Sequence, residues 1–227
     1  MTRLTLTGQR RGLRELAYDS LREAIVTLRL EPGARITEDG LSEQLGVSRP
    51  VLREALQRLQ VDQLVDRLDN GRMRVRPLSP GDATHLYAVR SALEQLAVRE
   101  ACARLTDTDR TALAGDMTRM RAAEHSGDAM AVAETGLRFH RRLHSIAANP
   151  VNDALMAQIG GPIDRFRHLS VAATARLPQS AAEHEAVLAA LLAGAADAAA
   201  SAMHRHVMSG HEAVQRALKS QGASSPT

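Results

Sequence analysis

The sequence predicts a mainly α-helical chain in two parts, with one small β-hairpin near the N-terminus. Three observations carry this. Aromatic residues make up only 2% of the 227 residues while apolar residues reach 44%, so the core must be built from Leu, Ala, Val, Ile and Met, which favours helices. Apolar residues recur at helical spacing almost throughout. The one strong hairpin signal is Asn70-Gly71, between two short strand candidates.

The elements follow in order. Leu13, Leu16, Ala17, Leu21, Ala24, Ile25 and Leu28 lie on one stripe and predict a helix over 13–29. Pro32-Gly33 stops it. Thr37 is placed to cap a short helix through Leu41 and Leu45, which Gly46 ends by taking the left-handed conformation. Ser48 is placed to cap a third helix to about Gln60, with Pro50 in its first turn, where a missing N–H costs nothing. Residues 64–68 and 73–76 read as strands joined by 69–72. Pro77 and Ser79-Pro80-Gly81 read as a linker. Beyond it, helices are expected over 82–104, 107–125, 128–148, 150–174, 178–195 and 197–218, with Gly160-Gly161-Pro162 kinking or splitting the fourth. The expected domains are 11–78 and 79–220, with a disordered tail over 221–227.

Helix, helix, tight turn, helix, hairpin is the order of a winged helix-turn-helix. The third helix buries Val51, Leu52, Ala55, Leu56 and Leu59. Arg49, Arg53 and Gln57 recur every fourth residue on the opposite face, where arginine can bond guanine O6 and N7 as a bidentate pair. Arg72 at the hairpin tip can reach the backbone or the minor groove. Charge agrees: residues 1–80 hold 14 arginines and 11 acids, while the remainder is neutral. Every basic residue but Lys219 is arginine, so phosphate or base contacts would be made by guanidinium forks.

Composition narrows the setting. Cys102 is the only cysteine, which excludes an intrachain disulfide and fits a reducing cytoplasm. Residues 1–12 lack the apolar segment of a secretory signal, and the longest apolar run, Ala186 to Ala196, is too short to span a bilayer. A cytoplasmic protein without a membrane partner is expected.

In the second part, His140, His184 and His206 each share a helical face with apolar residues and are expected to point inward from three helices. Inward histidines are either hydrogen-bonded core residues or a set of neutral imidazoles able to hold zinc or a similar ion. His144, one turn after His140, is an alternative ligand. His168, His204 and His211 read as surface residues. Arg90 lies on a stripe with Leu86, Leu93 and Ala97. Its buried guanidinium would need an anion, either Glu94 one turn on or the carboxylate of an effector.

Tyr18, Leu21-Arg22 and Ile25, then Pro32-Gly33, then Leu41 and the run Leu45-Gly46-Val47-Ser48-Arg49-Pro50-Val51-Leu52-Arg53-Glu54-Ala55-Leu56, and later Gly71, resemble the GntR-family DNA-binding domain. The resemblance implies a homodimeric regulator, usually a repressor, on palindromic double-stranded operator DNA, with Ser48, Arg49, Pro50, Arg53, Gly71 and Arg72 facing it. At Asp39-Gly40 relatives often carry another DNA-facing group, so weaker contacts are expected there. Arg90 with Glu94, Arg138-Phe139-His140 with Leu143, Ala148-Asn149, Glu183-His184 with Val187-Leu188 and Ala190, and Met203 with His206 resemble the FCD sensor domain of the FadR subfamily. That implies an antiparallel bundle of about six or seven helices around a pocket for a divalent metal and a small carboxylate effector. His140, His184 and His206 match the metal ligands; Arg90, Glu94 and Asn149 join them as effector-site residues. The family's usual acidic ligand, one turn before the first histidine, is here Gly136. Zinc or nickel would then rest on three histidines plus water or effector, or the histidines would bind an anion directly. Two other readings remain at this stage: a three-histidine hydrolase with Glu183 or Glu185 as base, and an effector-independent architectural DNA-binding dimer.

Overall fold

The computed structural model describes residues 12–171 and 177–223. The chain divides into two compact units between Pro77 and Leu78.

The first unit holds α1 (Leu13–Val26), β1 (Arg35–Ile36), α2 (Glu38–Leu45), α3 (Arg49–Val61), β2 (Val65–Arg67) and β3 (Met73–Val75). Its core is one side of each helix closed by the hairpin: Ala17, Leu21 and Ile25 from α1, Leu52, Ala55, Leu56 and Leu59 from α3, and Leu64, Val65 and Val75. Burying the Leu, Ile and Val side chains drives the unit together, each contributing about 1.5–3 kcal/mol. Gly46 ends α2 at φ +63°, a backbone that only glycine adopts without strain. Ser48 and Thr37 stand at their predicted N-cap positions, but neither side chain makes the capping hydrogen bond.

Sequence reading missed β1. It pairs antiparallel with β3, Arg35 opposite Arg74 and Ile36 opposite Met73, giving the sheet order β1-β3-β2. Two residues have no periodicity of their own; the strand exists because β3 supplies a ladder. In the hairpin only Gly71 of the Asn-Gly pair has positive φ, at +76°, as a three-residue loop with a left-handed last residue requires.

The second unit is all helical among the described residues: α4 (Pro80–Arg104), α5 (Asp107–His125), α6 (Ala129–Ala147), α7 (Pro150–Val171), α8 (Leu177–Leu192) and α9 (Ala196–Ala223). The caps explain the starts. Thr106 and Asp109 form a reciprocal capping box at α5, and Asp128 accepts from the Ala131 N–H at α6. The expected linker Ser79-Pro80-Gly81 is instead the start of α4. Ser79 Oγ accepts from the Asp82 N–H at 3.0 Å, and Pro80 occupies the first turn, where it is tolerated. The expected split at Gly160-Gly161-Pro162 does not occur: α7 runs through Pro162 as one helix. Gly161, Pro162 and Ile163 are buried, so packing overrides the missing N–H. The helix α9 continues to Ala223, three residues into the expected tail; 224–227 lie outside the described residues.

Three helices end on a non-glycine residue near left-handed geometry: Leu28, Gln63 and Ala148, at φ 60°, 57° and 49°. Among the described residues no helix is long and apolar enough to cross a membrane.

Candidate functional site

Two groups of residues carry chemistry. The first is the outer face of α3. Its inner face is pinned by Leu52, Ala55, Leu56 and Leu59, so 3.6-residue periodicity turns Arg49, Arg53 and Gln57 outward, and all three are exposed. Ser48 and Pro50 are exposed at the helix start, and Gly71 and Arg72 at the hairpin tip. The Asn70 Oδ1 accepts from the Arg72 N–H at 3.1 Å and shapes that tip. Tyr18 ties α1 to the far end of α3. Its hydroxyl donates to Asp62 and the Arg58 guanidinium lies 4.0 Å over its ring. Burial, reinforced by Asp62, pushes the phenol up to about 12. Two acids from α2 touch the arginines: Asp39 Oδ1 lies 2.7 Å from Arg49, and Glu38 Oε2 accepts from Arg53 Nε at 2.8 Å.

The second group is inside the helical unit. His140 (α6), His184 (α8) and His206 (α9) are all buried, and one ring nitrogen from each lies within 4.8 Å of the other two. Periodicity alone placed these three inward, and they converge. Each imidazole is anchored through Nδ1. His140 Nδ1 is 2.9 Å from Glu94 Oε2, His206 Nδ1 is 2.9 Å from Glu183 Oε2, and His184 Nδ1 is 2.7 Å from the Ser180 carbonyl. All three anchors are acceptors, so Nδ1 carries the proton and the Nε2 lone pair is left to face inward. His140 Nε2 and His206 Nε2 stand 3.2 Å apart, and His184 Nε2 is buried with no hydrogen-bond partner.

Burial pushes His184 well below its ordinary 6.5, with His206 and His140 adding to the effect. Burial also lowers His140, against the opposing pull of Glu94. Burial works to raise the Glu94 carboxyl, but His140, His144 and the Arg90 guanidinium outweigh it and hold it well below the carboxylate range. A neutral His184 and an anionic Glu94 follow.

Glu94 is the hub. Besides His140 it accepts from Arg90 at 3.3 Å, and His144 Nε2 lies 3.4 Å away. Arg90 thus finds the carboxylate its sequence position asked for, one turn along α4. His144 turns its other nitrogen to Asp153 at 3.1 Å; burial opposes its charge, but Glu94 and Asp153 outweigh it and raise its pKa. Asn149 is placed elsewhere. It sits at the α6–α7 turn, donating to Glu100 at 3.0 Å and accepting from the Asn152 N–H, and neither partner belongs to the histidine group.

Gly136 faces the cluster. A Cβ built there would lie 3.2 Å from His184 Nε2 and 3.6 Å from Met120 Cε, so the family's acidic ligand would have stood against this ring. Three converging nitrogens with fixed tautomers, one of them an orphaned buried acceptor, fit the donor set of a borderline divalent ion. A zinc–nitrogen bond of about 2.0–2.1 Å puts neighbouring ligand atoms about 3.3 Å apart.

Sequence reading missed one charged cluster. Asp116 on α5 is fully buried and receives Arg119 at 2.6 Å, Arg138 at 2.8 Å and Arg142 at 2.8 Å. Its partners lie on two helices, a relation invisible to single-helix periodicity.

A winged helix-turn-helix in one unit, and a buried constellation of polar groups in a helical bundle in the other, are the architecture of a transcriptional regulator. Comparison with known proteins agrees. Residues 13–75 match the model of the bacterial regulatory proteins of the gntR family, and residues 85–209 match the FCD domain. The chain belongs to this family: it is a GntR-type transcriptional regulator with a C-terminal FCD domain. It is similar to the HTH-type regulator YdhC of Bacillus subtilis, 27% identical over 75% of this chain and 76% of that one. A probable D-xylose utilization operon repressor of Paenarthrobacter nicotinovorans is 29% identical over 91% of this chain and 88% of the relative. Among solved structures, Escherichia coli McbR/YncC superposes with a TM-score of 0.75 at 22% identity, over 90% of this chain and 98% of that one, a likeness of fold. These relatives are regulators, not enzymes, and the hydrolase reading of the histidines gives way.

Proposed function

We propose that the protein is a ligand-responsive repressor that binds palindromic operator DNA in the cytoplasm as a homodimer and is released by a small carboxylate effector. Repression is supported by the relative named as an operon repressor. A dimer is expected because one reader helix covers only a few base pairs, and two copies spaced by a turn of DNA give usable specificity.

The observation that carries the ligand-responsive part is the arrangement of His140, His184 and His206: anchored at Nδ1, turned inward at Nε2. Residues that served only as core would spend both nitrogens on protein partners, whereas the His184 Nε2 has none. The three histidines would hold a zinc or nickel ion, which would supply a Lewis-acidic centre for an effector carboxylate. Glu94 and Glu183 keep the proton on Nδ1 of His140 and His206 and so keep the coordinating lone pairs available. Arg90, already buried against Glu94, supplies a guanidinium for a bound anion.

The test is a thermal-shift screen of small carboxylates on the full chain, with and without zinc or nickel, followed by operator release with any hit. Stabilisation that requires metal, is lost in His184→Ala and lowers operator affinity supports the reading; an effector at about 100 times its Kd adds about 2.7 kcal/mol. A parent protein that takes up no metal and responds to no carboxylate overturns it in favour of an effector-independent DNA-binding protein.

A further inference from the structure

We propose that Glu38 and Asp39 are specificity determinants of the DNA contact: each carboxylate holds one arginine of α3 for a base edge and bars it from phosphate. This rests on the DNA-reading role proposed for Arg49 and Arg53.

The geometry is paired. Glu38 and Asp39 are consecutive in the first turn of α2, and Arg49 and Arg53 are one turn apart on α3. Asp39 Oδ1 meets Arg49 Nη2 at 2.7 Å, and Glu38 Oε2 meets Arg53 Nε at 2.8 Å. The four side chains are net neutral on the face that would meet a polyanion. The arginines are 62% and 60% exposed and Asp39 is 74% exposed, so the pairs contribute only about 0–1 kcal/mol each to folding. Their larger effect lies in what the guanidiniums can do next.

A guanidinium has five N–H groups, and a bidentate guanine contact uses two. Glu38 on the Nε of Arg53 leaves the terminal N–H groups for a base, and Asp39 on the Nη2 of Arg49 leaves the Nε, the Nη1 pair and the second Nη2 proton; each carboxylate fixes the plane in which the remaining donors point. Less side-chain freedom is then lost when the base contact forms. Phosphate binding has the opposite sign. An arginine that swings to phosphate must leave its carboxylate, which then faces the polyanion unpaired. Sequence-independent binding consists almost wholly of phosphate contacts, so this penalty falls mainly on non-specific DNA.

The experiment uses the full chain and two duplexes: one selected by the parent from a randomised pool, and a scrambled one. Affinities are measured by fluorescence anisotropy between about 50 and 200 mM salt. E38Q and D39N are expected to tighten binding to the scrambled duplex more than to the selected one, so that specificity falls about tenfold. The salt slope on scrambled DNA should steepen by about one for each carboxylate removed. D39E, which keeps the charge, should restore the parent ratio. E43Q removes an exposed acid from the same helix and should leave the ratio unchanged. Equal tightening on both duplexes, or an E43Q effect as large as that of D39N, overturns the proposal and leaves only general electrostatics. Unchanged binding in Arg49→Ala and Arg53→Ala overturns the DNA-reading role as well, so the two failures are distinguishable.

Discussion

Replacing Gly136 by aspartate restores a carboxylate one turn before His140, and the structure sets both sides of the outcome. The new Cβ would stand 3.2 Å from His184 Nε2 and 3.4 Å from Cε1, inside ordinary van der Waals contact, so the ring must give by a few tenths of an ångström. To do so it must swing about its Nδ1 hydrogen bond to the Ser180 carbonyl, against the rings of Phe139, His140 and His206. Overpacking of this size costs about 1 kcal/mol. On the other side, structural zinc sites with four ligands are worth about 10–16 kcal/mol, or about 3 kcal/mol per ligand. Because that strain is present with or without metal it cancels from the binding constant: zinc should bind about 3 kcal/mol tighter, about a 150-fold lower Kd, while the loaded protein gains about 2 kcal/mol net. Competition against a chromophoric chelator measures it, with melting curves recorded on the metal-free proteins. Metal-free Gly136→Asp should melt below the parent and metal-loaded Gly136→Asp above it. A folded variant that binds zinc no tighter than the parent refutes the reasoning, because the carboxylate then does not reach the place where the three nitrogens converge.

Other outcomes follow from the same geometry. Arg53→Ala should weaken operator binding by about 1–3 kcal/mol and relax selection at one base pair in each half-site, read by binding-site selection. Asp116→Ala removes the shared acceptor of Arg119, Arg138 and Arg142 and should lower unfolding stability by about 2 kcal/mol in urea titration; an unchanged midpoint shows that the cluster does not hold α5 to α6. In metal-free protein, His184 is depressed below 6.5 in the fold, so below that pH the unfolded chain binds a proton the folded one refuses. His140 is depressed as well, so stability is lost as pH falls below 6.5 by up to about 1.4 kcal/mol per pH unit for each of the two, whereas the raised His144 is protonated in both states there and adds no slope. Urea midpoints that stay flat over this range contradict a neutral, buried His184. Light scattering on the full chain should report a dimer, free or on operator DNA; a monomer in both states counts against the half-site arrangement.

Most of α3, with its exposed and buried faces, was legible in the sequence because one rule sufficed. Once Leu52, Leu56 and Leu59 are buried, Arg49, Arg53 and Gln57 have nowhere to go but outward. The same rule turned His140, His184 and His206 inward, and their meeting follows from helices packing into one bundle. What stayed hidden was relational. Glu183 reads as a neighbour of His184 and a candidate base, yet it anchors His206 on another helix. Asp116 reads as a surface acid on α5 until Arg138 and Arg142 arrive from α6. Pro80 and Pro162 misled in the same way, because proline signals a break that position in the first turn or surrounding packing can cancel. The strand β1 has no signal apart from its partner.

The left-handed ends at Leu28, Gln63 and Ala148 have a consequence for how the molecule can be altered. An L-residue with a side chain gives up about 1–2 kcal/mol in that conformation, and glycine does not. Each joint is thus an unclaimed reserve of thermal robustness. Leu28 and Gln63 belong to the DNA-reading unit and Ala148 to the helical unit, and none of the three is a reader-helix or histidine-cluster residue. Glycine at Leu28 or Gln63 would therefore toughen the first unit, and glycine at Ala148 the second, with every proposed contact residue left in place.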